Sequence, residues 1–213
     1  GPIYERTRAA IEERRAALRT FDATPWPTER DEAWRYSDLK RFAVDGLEPT
    51  DGPADDAVSE RIRMRMTDSD AEGILVHKNG RTIDRQLAVR EAGVIVTDLR
   101  SAVTEHEALV REHLYAAVDA HAGKYHALNA AFWRDGTFVY VPKNVEVELP
   151  LGAFTSADRG GLSMGRTLIV VEDNAKVTFL DEYTSDTFDA RLFHGAVTEL
   201  VLGPGAKVRY LAL

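Results

Sequence analysis

A chain of 213 residues with 44% hydrophobic and 29% charged residues has the size and balance of one large globular domain or two small ones. Its net charge of −8 works against non-specific nucleic-acid binding, which needs a dense positive surface to displace counterions. It has no cysteine, which excludes disulfides, thiolate metal sites and cysteine nucleophiles together.

Gly1-Pro2 reads as a protease-cleavage scar. Tyr4 to Arg19 is densely charged where a signal peptide requires an apolar core, and no apolar run approaches the roughly 20 residues that cross a bilayer. A membrane partner is therefore not expected, and the cytoplasm is the expected compartment. Ile3 to Phe21 is predicted to be a helix with Tyr4, Ile11 and Leu18 as a narrow apolar stripe, Ala10 and Ala17 beside it, and a salt-bridged outer face. Thr24-Pro25-Trp26-Pro27-Thr28 breaks it. Glu29 to Leu39 is compatible with a short helix, and Leu47 to Asp56, rich in Pro, Gly and Asp, reads as a loop. Gly73 to Val76 and Arg81 to Ile83 flank Asn79-Gly80, a hairpin signature. Val94 to Thr97 is a short strand. Asp98 to Arg100 and Thr104 to Ala120 are predicted helical, Gly123 marks a stop, and Lys124 to Trp133 is a further helix with Tyr125, Leu128 and Phe132 on its apolar face.

From Thr137 onward strands dominate, and three segments superimpose: Val139 to Val147, Ile169 to Val177 and Leu200 to Val208. Each is an apolar strand, a polar turn and a second alternating strand. Asn144, Asn174 and Gly205, residue types that tolerate positive φ, occupy equivalent places 30 and 31 residues apart. A period near thirty built of short strands predicts stacked coils, with Val139, Val141, Val170 and Val201 as interior candidates. The chain ends at Leu213 soon after an apolar strand begins, so the expectation is a stack incomplete at that end, whose uncovered edge favours self-association.

Few constellations suggest chemistry. His106, His113 and His121 are spaced by seven and eight residues, too far apart for ligation from neighbouring helical turns. Gly160 to Gly165 lacks the lysine and helix of a phosphate-binding loop and reads as a turn between coils. Glu172-Asp173 and Asp181-Glu182 are adjacent strand residues that point to opposite faces. No nucleophile-elbow sequence occurs. His194, leading into the third repeat strand, is a titratable group expected near a desolvated coil core; it is the one candidate metal ligand. No catalytic or cofactor-binding residue is assigned.

Lys124 to Trp133, Asp135 to Lys143, Arg166 to Val171 and His194 to Glu199 together resemble the SufB/SufD family of iron–sulfur cluster assembly proteins, over about Glu29 to Leu213. Pro27-Thr28 through Glu32-Ala33-Trp34-Arg35-Tyr36-Ser37 is similar to its SufD branch. The resemblance implies a mainly β fold: a right-handed parallel β-helix, incomplete at its C-terminal end, preceded by an N-terminal helical α/β region. The expected division is an N-terminal region over 1–122 with a small hairpin and the first coils of the core over 123–213. It further implies a non-enzymatic subunit of a cytoplasmic complex with a SufB-like paralogue and the SufC-like ATPase, bound through regions beyond Leu213, with the iron–sulfur cluster handled by the complex rather than held as a cofactor of this chain. His194 matches a family histidine position. Where SufB-like proteins carry a cysteine this chain has Tyr183, and thiolate is the ligand such clusters prefer. The reading is therefore a SufD-like partner; the alternatives are a SufB-like scaffold or a β-helix carbohydrate-active enzyme, the latter lacking clustered carboxylates and a secretion signal.

Overall fold

The computed structural model describes residues 2–50, 52–53, 55–185 and 188–213, with side chains from residue 10 onward. Gly1 of the scar reading, the Tyr4 side chain, and Asp51 and Ala54 of the predicted loop lie outside that set. The architecture is mixed α/β, with two sheets and helices packed on them.

Helix α1 (Pro2–Ala23) packs on α5 (Lys124–Phe132). Ala17 is buried against Ala120 and Ala130, and Arg14 donates to the carbonyls of Ala131 and Trp133. Ala10, Arg14, Ala17 and Phe21 share one helical face. The predicted stripe is offset from it: Ile11 and Leu18 are exposed, because small residues allow the closer helix approach. Among the described residues the segment after α1 has only two 3₁₀ turns, Glu32–Trp34 and Leu39–Phe42. Its order comes from aromatic contacts, with Trp26, Trp34 and Phe42 all packed around Tyr125. Helix α2 (Glu60–Asp68), not anticipated from the sequence, is capped by the Ser59 side chain and buries Ile62 and Met66 against Ile74, Val76 and Phe154.

Strands β1 (Gly73–Lys78) and β2 (Arg81–Leu87) form the expected antiparallel hairpin. Asn79 and Gly80 both have positive φ, 47° and 77°, as a primed turn requires. Strand β3 (Ile95–Asp98) leads into α3 (Leu99–Glu105) and α4 (Glu107–His113). The helix predicted over Thr104 to Ala120 is thus interrupted at His106 and ends at His113, and Tyr115 takes a positive φ of 66°. Gly123 precedes α5 rather than stopping a helix.

Strands β4 (Asp135–Val141), β5 (Leu151–Ala157), β6 (Gly161–Val171), β7 (Lys176–Ser185), β8 (Leu192–Leu202) and β9 (Lys207–Ala212) alternate between the two sheets. One sheet runs β2-β1-β5-β7-β9 and the other β3-β4-β6-β8. Within the series β4 to β9, and between β1 and β5, neighbours pair in parallel. The chain therefore winds, each circuit of about thirty residues lying on the one before. At the repeated turn Asn144, Asn174 and Gly205 have φ of 61°, 58° and 74°. Asn174 donates to Asn144 Oδ1 at 3.2 Å. A Cβ at Gly205 would lie 2.4 Å from Asn174 Oδ1, so glycine there meets both the backbone angle and the space. Lys143 pairs with Asp173, and Lys176 with Glu146, each across one circuit.

The space between the sheets is filled by Leu75, Val139, Val141, Leu151, Ile169, Val177 and Phe179, among others. A second core lies outside the β3-β4-β6-β8 sheet, where Leu99, Val110, Leu128 and Trp133 cover Phe138, Leu168 and Val170. Val139 and Val141 are interior as expected. Val170 and Val201 belong to the outer, helix-covered face, one residue out of the predicted register. Both faces of this sheet are apolar, so alternation does not distinguish them. Among the described residues no helix is long and apolar enough to cross a membrane.

Candidate functional site

The inner lining of the winding changes character along the strands. Towards the Asn144 turn it is apolar; towards the strand starts in the β4, β6 and β8 sheet it is polar. Parallel pairing aligns Thr137 with Thr167 and Thr167 with Thr198 on one face, and Ser163 with His194. Facing strands contribute His77, Thr155, Asp181, Tyr183 and Tyr210.

Two hydrogen-bonded clusters form in this polar half. In the first, Thr82 Oγ1 donates to Asp135 Oδ2 at 2.7 Å. Its only proton is thereby used, so His77 Nδ1 is the donor across 3.0 Å to Thr82 Oγ1, and Nε2 accepts from the Thr137 hydroxyl at 2.8 Å. Burial holds the His77 imidazole below the usual histidine range, against the opposing influence of Asp135 and Asp98. In the second, Tyr183 and Tyr210 both donate to Asp181 Oδ2. Burial raises the carboxyl of Asp181 above the usual aspartate range, while the two phenols pull the other way. Burial also raises both tyrosines.

His194 lies between the clusters. Nδ1 is 3.2 Å from Ser163 Oγ, the ring is 5.2 Å from that of Tyr183, and Nε2 is buried without a hydrogen-bond partner among the described residues. Burial pushes its pKa down to about 4, with a smaller contribution from His77, so the imidazole is neutral near pH 7. The expectation that His194 sits by the core holds. His77, unmarked in the sequence, joins it because the hairpin carrying β1 adds to the wound sheet. His106, His113 and His121 do not converge: His106 stacks on Phe138 and His121 bonds Thr20. Asp181 and Glu182 do point apart, the latter outward to Arg65 at 2.9 Å. The Gly160 to Gly165 segment is a turn only at its start; Gly161 already opens β6. Among the described residues no group of three or more histidines or carboxylates is arranged to hold a metal ion.

A second polar assembly, missed in the sequence, lies on the opposite face of the same sheet. Arg166 is fully buried. It donates to Glu199 Oε1 at 3.0 and 2.6 Å, to Asn129 Oδ1 at 3.0 Å and to the Val118 carbonyl at 3.1 Å, with its guanidinium 4.1 Å above the Tyr115 ring. Glu199 also accepts from the backbone amides of Tyr115, Ala117 and Val118. Asn129 donates to the carbonyls of Gly165 and Gly195. The visible signal was a charged residue inside each of two apolar strands.

These features define a class: a strand-wound α/β protein clad by helices on one face, with a polar compartment inside the winding. The model of the SufBD protein N-terminal region matches residues 3–152, and that of the SufBD core domain of the SUF iron–sulfur cluster system matches 154–213. The chain belongs to the SufBD family. It is 36% identical over 126 residues to an iron–sulfur cluster assembly SufBD family protein of Staphylococcus epidermidis, 35% to one of Staphylococcus haemolyticus and 33% to one of Staphylococcus aureus. Each match takes in 59% of this chain and 27% of the relative, so the chain spans only part of the length of these proteins.

Proposed function

We propose that this chain is part of a SufD-like subunit that supports iron–sulfur cluster assembly and transfer as a structural and interaction component, without catalytic activity or a resident cofactor. The wound strands are then the first coils of a right-handed parallel β-helix. The partners are a SufB-like paralogue and a SufC-like ATPase, engaged through regions beyond Leu213, in the cytoplasm. By itself the chain exposes the β8 and β9 edges and is expected to self-associate through them.

The observation that carries this reading is Tyr183. Its phenol, not a thiol, faces the polar interior and is tied to Asp181 at 3.0 Å. No thiolate lines the neighbouring pocket, and thiolate is the ligand such clusters prefer. The test is anaerobic reconstitution of the chain with iron and sulfide, followed by desalting. No stoichiometric visible chromophore is expected; one stable cluster per chain would favour the scaffold reading instead. Co-purification with the SufC-like ATPase should yield no tight complex, and a tight one would place the docking surface within these residues.

A further inference from the structure

At the entrance to β1 two glutamates meet. Glu72 donates its backbone amide to the Pro150 carbonyl at 3.0 Å, and its carbonyl accepts from the Ala88 amide at 2.8 Å. It therefore stands where the loop after β2 meets the turn before β5. Glu91, in that loop, accepts from the Glu148 amide at 2.9 Å through Oε1 and from the Arg90 amide at 3.2 Å through Oε2. The side chains of Glu72 and Glu91 are hydrogen-bonded to each other. Glu72 Oε1 is shielded from solvent and has no donor among the described residues.

Two ionised carboxylates are acceptors only, so a hydrogen bond between them requires a proton. An ionised Glu72 would also leave a shielded oxygen with neither water nor a donor, a costly state. The proton belongs on Glu72 rather than Glu91. Glu91 already receives two amides, and donors favour its charged form. The surrounding charges agree. Burial raises the Glu72 carboxyl, and the charges of Glu91 and Glu148 add to it against Arg90. The Glu148 amide holds Glu91 below the usual glutamate range. A metal ion could also join two carboxylates, but among the described residues they gather no third ligand.

We infer that Glu72 and Glu91 form a carboxyl–carboxylate pair holding one proton on Glu72, and that this proton latches the loop after β2 to the first circuit of the winding. Glu91 is fixed by its two amides, so loss of the proton frees Glu72. The latch is closed in mild acid and weakens as pH rises through the folded pKa of Glu72.

Glu72→Gln keeps the shape of the protonated acid and carries a permanent donor. A raised folded pKa gives stability that is present below the unfolded value of about 4.3 and is lost as pH rises through the folded value. The variant has no such loss. Thermal midpoints are measured for the parent chain and the variant across this range. The expected result is equal midpoints near pH 4 and a variant higher by about 2–4 °C near pH 8. A gap that does not change with pH, or a variant less stable at the higher pH, overturns the inference. Magnesium or calcium chloride that raises the parent's midpoint but not the variant's also overturns it, because a metal would then fill the place of the proton. Carbon-13 NMR titration of the carboxyl groups in the parent chain decides the matter if the variant does not fold. Glu72 losing its proton above about 4.3 and Glu91 below it supports the pair, and overlapping titrations near that value overturn it.

Discussion

Strand β8 carries two buried polar assemblies on its two faces, and they are built on opposite terms. On the outer face every side-chain nitrogen and oxygen of Arg166 and Glu199 has a partner, each a fixed group on α5, the 115–118 turn or the sheet. On the inner face His194 has one hydrogen bond of 3.2 Å and, among the described residues, one nitrogen without a partner. A saturated buried network fastens elements together and leaves nothing to offer a ligand. An unsaturated one keeps a lone pair or proton in reserve at a cost in stability. The lesson is that formal charge is a poor guide to function here. The fully charged pair is the fastening, and the neutral imidazole is the group left with an unused nitrogen among the described residues.

Breaking the outer assembly should have the largest effect. Glu199→Ala strands the buried Arg166 guanidinium and three backbone amides, and is expected to cost about 3–5 kcal/mol, read as the shift in urea-unfolding free energy. Adding Arg166→Met should recover part of that loss, since the unpaired charge is gone while the amides remain bare. A cost under roughly 1 kcal/mol for Glu199→Ala would mean the network is not the fastening described.

The inner assembly should show itself through pH. His77 and His194 have folded pKa values below the unfolded value of about 6.5. Between that value and the folded one the unfolded chain binds more protons, so stability rises with pH and is lost on acidification from about 6.5 towards 4. For His194 the loss amounts to as much as about 3 kcal/mol. Asp181, with a raised folded pKa, acts in the opposite sense: its contribution is present at low pH and is lost as pH rises through the folded value. Unfolding midpoints from pH 7 to 4 should fall, and the fall should be shallower in His194→Asn. An identical slope in that variant would remove His194 from the buried set.

The smallest effect is expected at the turn ladder. Asn174→Ala removes a bond to Asn144 and puts alanine at φ 58°, for a cost of about 1–2 kcal/mol. Asn174→Gly should cost less, because only the side-chain bond is lost. If the two variants are equal, backbone strain plays no part in the turn.

These contrasts also explain what could be read from the chain itself. The thirty-residue spacing of Asn144, Asn174 and Gly205 revealed the winding because the left-handed backbone restricts residue choice at a fixed place in each circuit. Asn79-Gly80 was legible for the same local reason. The register of Val170 and Val201 was not, because a sheet buried on both faces has no polar side to mark. The helix predicted through Ala120 stops early because the carboxylate of Glu199, more than eighty residues away, takes the amides of Tyr115, Ala117 and Val118; no local pattern anticipates a distant acceptor. His194 stood out through its place at the start of the third repeat strand, whereas His77 is defined by Thr82 and Thr137, which only the fold brings to it.

The winding has a direction, and the hairpin at its beginning sets it. Strand β1 is held on one side by β5 in parallel and on the other by β2 in antiparallel, so that border of the stack is closed by a reversed strand that offers the wrong polarity to another parallel circuit. The opposite border, β8 and β9, keeps the polarity of the strands beneath it. Every later circuit finds its template about thirty residues upstream, a separation that stays constant as the chain lengthens. Loop-closure cost therefore does not grow with the size of the stack. A chain emerging N-terminus first from the ribosome can lay down its start, then each circuit in order, without waiting for its far end.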